Sequence, residues 1–139
     1  MRQILIQSAF PPVDDADVSA YQMAEAAAIA ADRLLAHLEV LVGILGADAL
    51  YSRSVHITRQ KYPALVLSAK EPRADQLASL RLDIERMDAN TARTAAMSLI
   101  SNFADLLVSL IGEPLTNRLL RSAWNIPPVS DEPIGEKTK

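Results

Sequence analysis

The feature that most constrains the fold is a pair of helical patterns between residues 94 and 124. Apolar residues recur there at alternating spacings of four and three, which places them on one stripe of a helix. The stripe consists of Ala96, Ile100, Phe103, Leu107 and Leu110. Gly112 and Pro114 then end this helix and begin another, because glycine suits the residue after a helix end and proline suits the first turn. The pattern predicts a helical hairpin joined at Gly112, with Leu, Ile, Phe and Trp on its inner surface.

A second long helical pattern follows Asp14, Asp15 and Asp17, where acidic residues complement the positive end of a helix dipole. Its apolar positions are Tyr21, Ala24, Ala28, Ala31, Leu35, Leu38, Val42 and Leu45. Gly43 and Gly46 mark the end of this helix or a kink within it.

Two further helices are expected between these patterns. One runs from Ala47 to about Lys61 and ends at Tyr62-Pro63, because proline disfavours a helical residue before it. The other carries Leu77, Leu80, Ile84 and Met87 at helical spacing. Asn90 or Thr91 is expected to cap the helix that follows.

These patterns predict an all-α fold, an antiparallel bundle of four to five helices. Residues 1–13 are expected to form a short N-terminal arm with Ile4, Leu5 and Ile6 extended, residues 14–125 the bundle, and residues 126–139 a flexible tail. On the central helix, Asn102 and Asp105 are expected to hydrogen-bond with Arg118 or Asn117. The apolar stripes of the first and fourth helices are broad, so a homodimer through one of them is a reasonable hypothesis.

Composition excludes several function classes. The 139 residues include no cysteine, which excludes a disulfide scaffold, a thiolate zinc site and a cysteine nucleophile. The apolar run at residues 4–6 is too short for a signal peptide. The most apolar window, residues 95–111, is interrupted by Asn102 and Asp105, so no membrane span is expected. We therefore expect a cytoplasmic protein that does not bind membranes.

Charge is unevenly placed along the chain. The net charge is −3, yet residues 49–73 carry five basic side chains and one acidic side chain. An acidic protein is a poor general binder of nucleic acid, because backbone phosphates reward a basic face. The basic segment 49–73 is instead expected to suit an acidic protein partner.

Only two histidines are present. His37 lies beside the apolar stripe and reads as a surface histidine. His56 has Arg53 and Arg59 one helical turn away on either side, which suits an exposed phosphate acceptor or an anion site. No metal site is expected, because acidic pairs such as Glu85 and Asp88 have no histidine at a matching distance, and no cofactor is expected.

The segment around His56 loosely resembles the histidine phosphotransfer domains, helical bundles that carry an exposed histidine. Their pattern usually places lysine three residues after the histidine and glycine next, where this chain has Arg59 and Gln60. Gln60 departs from this pattern, because the glycine at that place is a small residue that leaves room for the partner's aspartyl site. The resemblance implies phosphotransfer through His56 as one alternative.

A second resemblance rests on two stretches. Residues 46–57 with Tyr62-Pro63, and residues 111–120 with Ala123-Trp124, resemble a set of bacterial all-helical proteins that are suspected of regulatory roles. This resemblance implies a helical fold and a role in signalling, and it confers no catalytic residue. We therefore predict a non-enzymatic, homodimeric interaction module of bacterial regulation. The alternatives are phosphotransfer through His56 and binding of a small anionic ligand in a groove edged by Arg53, His56 and Arg59.

Overall fold

The computed structural model describes residues 2–10, 19–65 and 72–126, and the secondary structure in these ranges is helical with no strand. The helices are α1 (Arg2–Ser8), α2 (Ala20–Arg59), α3 (Arg73–Glu85), α4 (Ala89–Ile111) and α5 (Glu113–Trp124). Helices α2 and α4 pack against each other at the centre, α3 and α5 both pack on α2, and α1 packs on α4 and α5. The predicted all-α bundle is confirmed.

Helix α4 buries most of its predicted stripe. Ala96, Ile100, Phe103 and Leu107 have no exposed surface, whereas Leu110 is exposed, so the stripe leaves the core in the last turn. The helix starts two or three residues earlier than expected. Its cap is Asp88, whose carboxylate accepts the backbone N–H of Thr91 at 2.9 Å.

Helix α2 combines the two helices predicted over residues 20–61. It starts at a capping box in which Ser19 and Gln22 satisfy each other's backbone N–H groups, while the three aspartates at 14–17 lie outside the described residues. Gly43 breaks the helical conformation and divides α2 into two arms, residues 20–42 and 44–59. Tyr21 and Leu45, the two ends of the predicted stripe, are exposed, so the prediction was wrong there.

The N-terminal segment is not an extended arm. Residues 2–8 form helix α1, and Leu5, Ile6 and Phe10 are buried in the core that they share with the other helices. Burying three large apolar side chains is worth more than leaving them exposed on a free arm. Residues 11–13, the rest of that predicted arm, lie outside the described residues.

The polar residues of α4 have other partners than expected. Asp105 pairs with Arg2 of α1 at 2.9 Å, and Asn102 donates from Nδ2 to Oγ1 of Thr58 at 2.8 Å. The second arm of α2 is therefore fastened to α4 by a side-chain hydrogen bond. Of the predicted flexible tail, Ile126 is described and donates its N–H to the carbonyl of Arg121, and residues 127–139 lie outside the described residues.

Candidate interaction surface

Two glycines turn the chain between consecutive helical segments with almost the same backbone conformation. Gly43, inside α2, has φ 82° and ψ 167°, and Gly112, between α4 and α5, has φ 86° and ψ 161°. This region of backbone space is essentially restricted to glycine, because a Cβ atom strains it. We call these two bends the Gly43 elbow and the Gly112 elbow.

The Gly43 elbow is bridged by Arg73, at the start of α3. Its guanidinium pairs with Glu39 on the arm before Gly43 and with Asp48 on the arm after it, the latter at 2.9 Å. Burial alone would lower the pKa of Arg73, but the hydrogen bonds to Asp48 and Glu39 raise it overall. One side chain thus joins the two arms of the elbow.

The Gly43 elbow also carries four exposed apolar side chains, which we call the elbow cluster. Val40 is 84% exposed, Leu41 51%, Ile44 61% and Leu45 85%. Single exposed leucines are common on protein surfaces and need no explanation. Here four exposed apolar side chains fall within six consecutive positions, and such a concentration of exposed apolar surface makes the elbow a candidate interaction site.

A groove between α2 and α5 continues the elbow cluster. Its volume is about 260 Å³, and its lining consists of His37, Val40, Leu41, Leu115, Arg118, Leu119 and Ser122. Val40 and Leu41 belong to both features. Within the described ranges, Arg118 has no carboxylate partner. The groove is therefore an apolar trough with one cation on its wall.

His37, predicted as a surface histidine, is exposed and lies on the wall of this groove. Its Nδ1 is 3.0 Å from the carbonyl oxygen of Arg33, one turn earlier. A ring nitrogen at this distance from a carbonyl acts as the donor. In the neutral ring the other nitrogen, Nε2, is then an acceptor.

The predicted site at His56 lies on the second arm of α2. His56, Arg53 and Arg59 are exposed, and their spacing of three residues places them on one helix face. The opposite face of this arm is buried, where Thr58 Oγ1 donates to the carbonyl of Ser54 at 2.7 Å. The structure thus keeps the three residues together on an exposed helix face, whereas the groove between α2 and α5 is lined by other side chains.

The basic segment 49–73 is partly neutralised within the fold. Arg73 is half-buried in its ion pairs with Glu39 and Asp48, and Lys70 lies outside the described residues. Arg53, Arg59 and Lys61 are exposed. An acidic partner would therefore meet these three cations.

A metal site and a second groove are the other possible site types. In the parts of the chain that the structure describes, no three His, Asp or Glu side chains are grouped so that they could hold a metal ion. A second, smaller groove of about 150 Å³ lies near α1 and is lined by Ser8, Ala9, Ile29, Ala30, Arg33 and Trp124. Trp124 donates its indole N–H to the carbonyl of Ala30 at 3.0 Å, so its polar group is satisfied within the fold.

Two helices, α2 and α4, are long and apolar enough to span a membrane by length and composition. The most apolar window of α2 is 28% buried in the bundle, and that of α4 is 39% buried. A core helix of a bundle meets the same criterion, so composition alone does not select a membrane. The exposed side chains distinguish the two helices, because α2 leaves six large apolar side chains exposed and α4 leaves one, Leu110.

The elbow cluster was not singled out from the sequence, although a signal was present. Residues 40–45 read Val-Leu-Val-Gly-Ile-Leu, an almost unbroken apolar run around a glycine. A helix on the surface of a bundle buries one stripe, so an unbroken run must leave some of its side chains uncovered. The pattern of threes and fours selected Val42 and Leu45 from this run, with Leu41 beside the stripe, and predicted no exposed surface there.

No family model, curated protein or solved structure matches this chain. The resemblance to bacterial all-helical proteins therefore stays a prediction.

Proposed function

We propose that this protein is a non-enzymatic helical interaction module, in which the Gly43 elbow presents the docking surface for a helix of a protein partner. The observation that carries the proposal is the elbow cluster, four apolar side chains left exposed around one glycine. Full burial of such a side chain is worth roughly 1.5–3 kcal/mol. Covering the elbow cluster would therefore stabilise a complex appreciably.

The shape of the surface favours a helix as the occupant. The groove is an open trough between two helices, with leucines from both walls. An amphipathic helix docks in such a trough through apolar residues at helical spacing. Arg118 on the wall would select a partner with an acidic residue beside its apolar face.

The sequence prediction adds the cellular setting to this proposal. The resemblance to bacterial all-helical proteins of suspected regulatory role favours a module of cytoplasmic signalling, whose partner binding is its activity. In such a module the Gly43 elbow takes part in no reaction, and it acts by bringing two proteins together.

Site-specific photocrosslinking tests the docking surface, with the protein expressed in the cells that naturally make it. A photoreactive amino acid replaces Leu45, and the matched control replaces Ala78, an exposed residue of α3. We expect a protein adduct of defined mass from position 45 and none from position 78. Equal adduct yields from the two positions would refute the docking surface, and mass spectrometry of the adduct identifies the partner.

Phosphotransfer through His56 is the second candidate function. It is favoured by the exposure of His56 between the exposed side chains of Arg53 and Arg59 on one helix face, which would attract a phosphoryl group. Incubation with a phosphorylated receiver domain or an autophosphorylating kinase, using radiolabelled phosphate, tests it. Label that is acquired by the protein and lost in His56→Gln would support phosphotransfer, and equal labelling of the variant would end it.

A further inference from the structure

We infer that the occupant of the Gly43 elbow is a second copy of this chain, related to the first by a two-fold axis. This inference rests on the proposed function, because it names the partner of the same docking surface. A two-fold interface uses the same patch on both copies, so the patch must be complementary to itself. The shape and the charge of this surface meet that requirement, and its area suits a modest interface.

The first property is shape. Ile44 and Leu45 protrude from the elbow, within four residues of Leu41 in the wall of the groove. The groove has a volume of about 260 Å³, and a cavity of about 150 Å³ already holds a molecule of benzene. A protrusion and a recess that fits it thus lie side by side on one face. A two-fold axis between them places each copy's protruding side chains in the other copy's groove.

The second property is charge. Glu39 and Asp48 share a single arginine, Arg73, which leaves one net negative charge beside the elbow cluster. Arg118, on the wall of the groove, supplies a positive charge without a carboxylate partner in the described ranges. A two-fold arrangement brings each acidic pair towards the other copy's Arg118. Complementary charges at the rim of an interface fix its register.

The third property is area. The side chains of the elbow cluster expose on the order of 250 Å² of apolar surface, about a third of the ~800 Å² that each partner buries in a standard interface. The walls of the groove supply further surface of the same kind. The sum corresponds to a modest interface, so we expect a dimer that dissociates in the micromolar range.

The alternative dimer through α4 lacks such a surface. Seven of the eight buried residues of α4 are apolar positions within residues 95–107, and they face the bundle that already covers them. The sequence predicted broad stripes on both long helices. Of the two long helices, α2 leaves Val40, Leu41, Ile44 and Leu45 exposed together beside the groove, whereas Leu110 is the one large apolar side chain that α4 leaves exposed.

Light scattering of the purified full-length protein, from low micromolar to several hundred micromolar, tests the inference. We expect a concentration-dependent dimer for the wild type, and monomer over the same range for Leu45→Glu. Leu45 is 85% exposed, so this change leaves the core intact, and circular dichroism verifies the helix content. The matched control is Leu82→Glu on α3, which is also an exposed leucine and should leave the dimer unchanged.

A second measurement locates the interface. Because the chain has no cysteine, one introduced cysteine is the only thiol, and a short bismaleimide can join only two copies through it. Leu45→Cys should give a covalent dimer in high yield, and Leu82→Cys should not. A dimer that persists in Leu45→Glu, or equal yields from the two cysteine variants, would place the interface elsewhere and overturn the inference.

The outcomes separate this inference from the proposed function. A wild type that stays monomeric while position 45 crosslinks to a different protein in cells overturns the dimer and keeps the docking surface. A monomeric wild type that floats with phosphatidylcholine vesicles, when Leu45→Glu does not, overturns both, because the occupant is then lipid.

Discussion

The two elbows share one design and differ in what surrounds it. In each, a glycine with φ near +85° separates two helical segments, and one arginine pairs with a carboxylate on either side of that glycine. Arg73 joins Glu39 and Asp48 across the Gly43 elbow, and Arg2 joins Asp105 and Glu113 across the Gly112 elbow. Each arginine comes from another helix, so each elbow is fastened to the bundle as well as across itself.

The ion pairs at the two elbows differ in their exposure to solvent. The carboxylates of Glu39 and Asp48 are 26% and 32% exposed, and those of Asp105 and Glu113 are 57% and 56% exposed. Charge pairs that are partly shielded from water are screened less by salt than exposed ones. The Gly43 elbow is therefore the more firmly held of the two.

The residues after the glycine differ as well. Gly112 is followed by Glu113 and Pro114. Both are ordinary residues for the first turn of a helix on the surface. Ile44 and Leu45 follow Gly43, and both are exposed. Four exposed apolar side chains lie within three residues of Gly43, whereas two, Leu110 and Leu115, lie within three residues of Gly112. The more firmly held bend thus carries more exposed apolar surface, which suits it to binding.

The largest predicted effect separates a core leucine from an elbow leucine. Leu107→Asp places a charge at a fully buried position of α4 and should destabilise the domain by about 3–5 kcal/mol or more, which amounts to unfolding. Leu45→Asp, in the elbow cluster, should leave the free energy of unfolding within about 0.5 kcal/mol of wild type. Urea denaturation followed by circular dichroism measures both, at a concentration low enough to keep the chain monomeric. A severe loss of stability in Leu45→Asp would mean that the elbow cluster is part of the core.

The next largest effect on stability is expected from replacing the glycines of the two elbows. Gly43→Ala and Gly112→Ala should each cost about 1–3 kcal/mol, because an L-residue is strained at these angles. The cost is conformational at both sites, since an added Cβ meets no atom within 4 Å at Gly43 and only Pro114 Cδ at 3.9 Å at Gly112. Urea denaturation checks this, and D-alanine introduced at position 43 by semisynthesis is the matched control, because a D-residue accepts positive φ. Stability unchanged in both L-alanine variants would show that the glycine conformation is not required.

The two bridging arginines, Arg73 and Arg2, should differ in how much they contribute to the free energy of unfolding. Arg73→Met leaves Glu39 and Asp48 without their shared cation and should cost about 1–3 kcal/mol. Arg2→Met should cost about 0–1 kcal/mol, because its carboxylate partners are exposed. Thermal denaturation at low and at high salt measures both, and the effect of Arg2→Met should shrink more with added salt. Equal costs for the two variants would remove the distinction between the elbows.

The smallest effect concerns how the helices next to the Gly112 elbow begin. Helix α4 begins with the Asp88 cap, whereas α5 begins at Gly112 with no side-chain hydrogen bond. Hydrogen bonds from the Thr91 side chain and backbone lower the pKa of Asp88 from its ordinary value of 3.8. A carboxyl with a lowered pKa contributes stability that is present above pH 3.8 and is lost as the pH falls through the lower, folded-state pKa.

We therefore expect Asp88→Ala to lower the melting temperature slightly at neutral pH, with a difference from wild type that narrows once the pH falls below 3.8. Melting curves of both proteins from neutral to strongly acidic pH measure this. A difference that stays constant over that range would show that the charge of Asp88 is not what caps the helix.

Much of the fold could be predicted from the sequence, because spacing and helix-end chemistry act locally. The stripe of α4 from Ala96 to Leu107, the end of α4 at Gly112 and an interruption at Gly43 or Gly46 follow from residues within a few positions of one another. The structure places the interruption at Gly43, and Gly46 stays helical. The N-terminal segment was mispredicted, because its helix α1 is stabilised by the burial of Leu5 and Ile6 against other helices. Contacts so distant in sequence leave no local pattern.

The sequence by itself determined that this chain is a helical bundle interrupted at Gly43 or Gly46 and again at Gly112. Only the tertiary structure decided which apolar residues remain uncovered, and that Arg73 and Arg2 each bridge one bend. Residues 40–45 are apolar whether or not a neighbouring helix covers them, and the packing of α3, α4 and α5 leaves Val40, Leu41, Ile44 and Leu45 exposed. Exposure is a property of the assembled helices, since it depends on which surfaces the other elements reach.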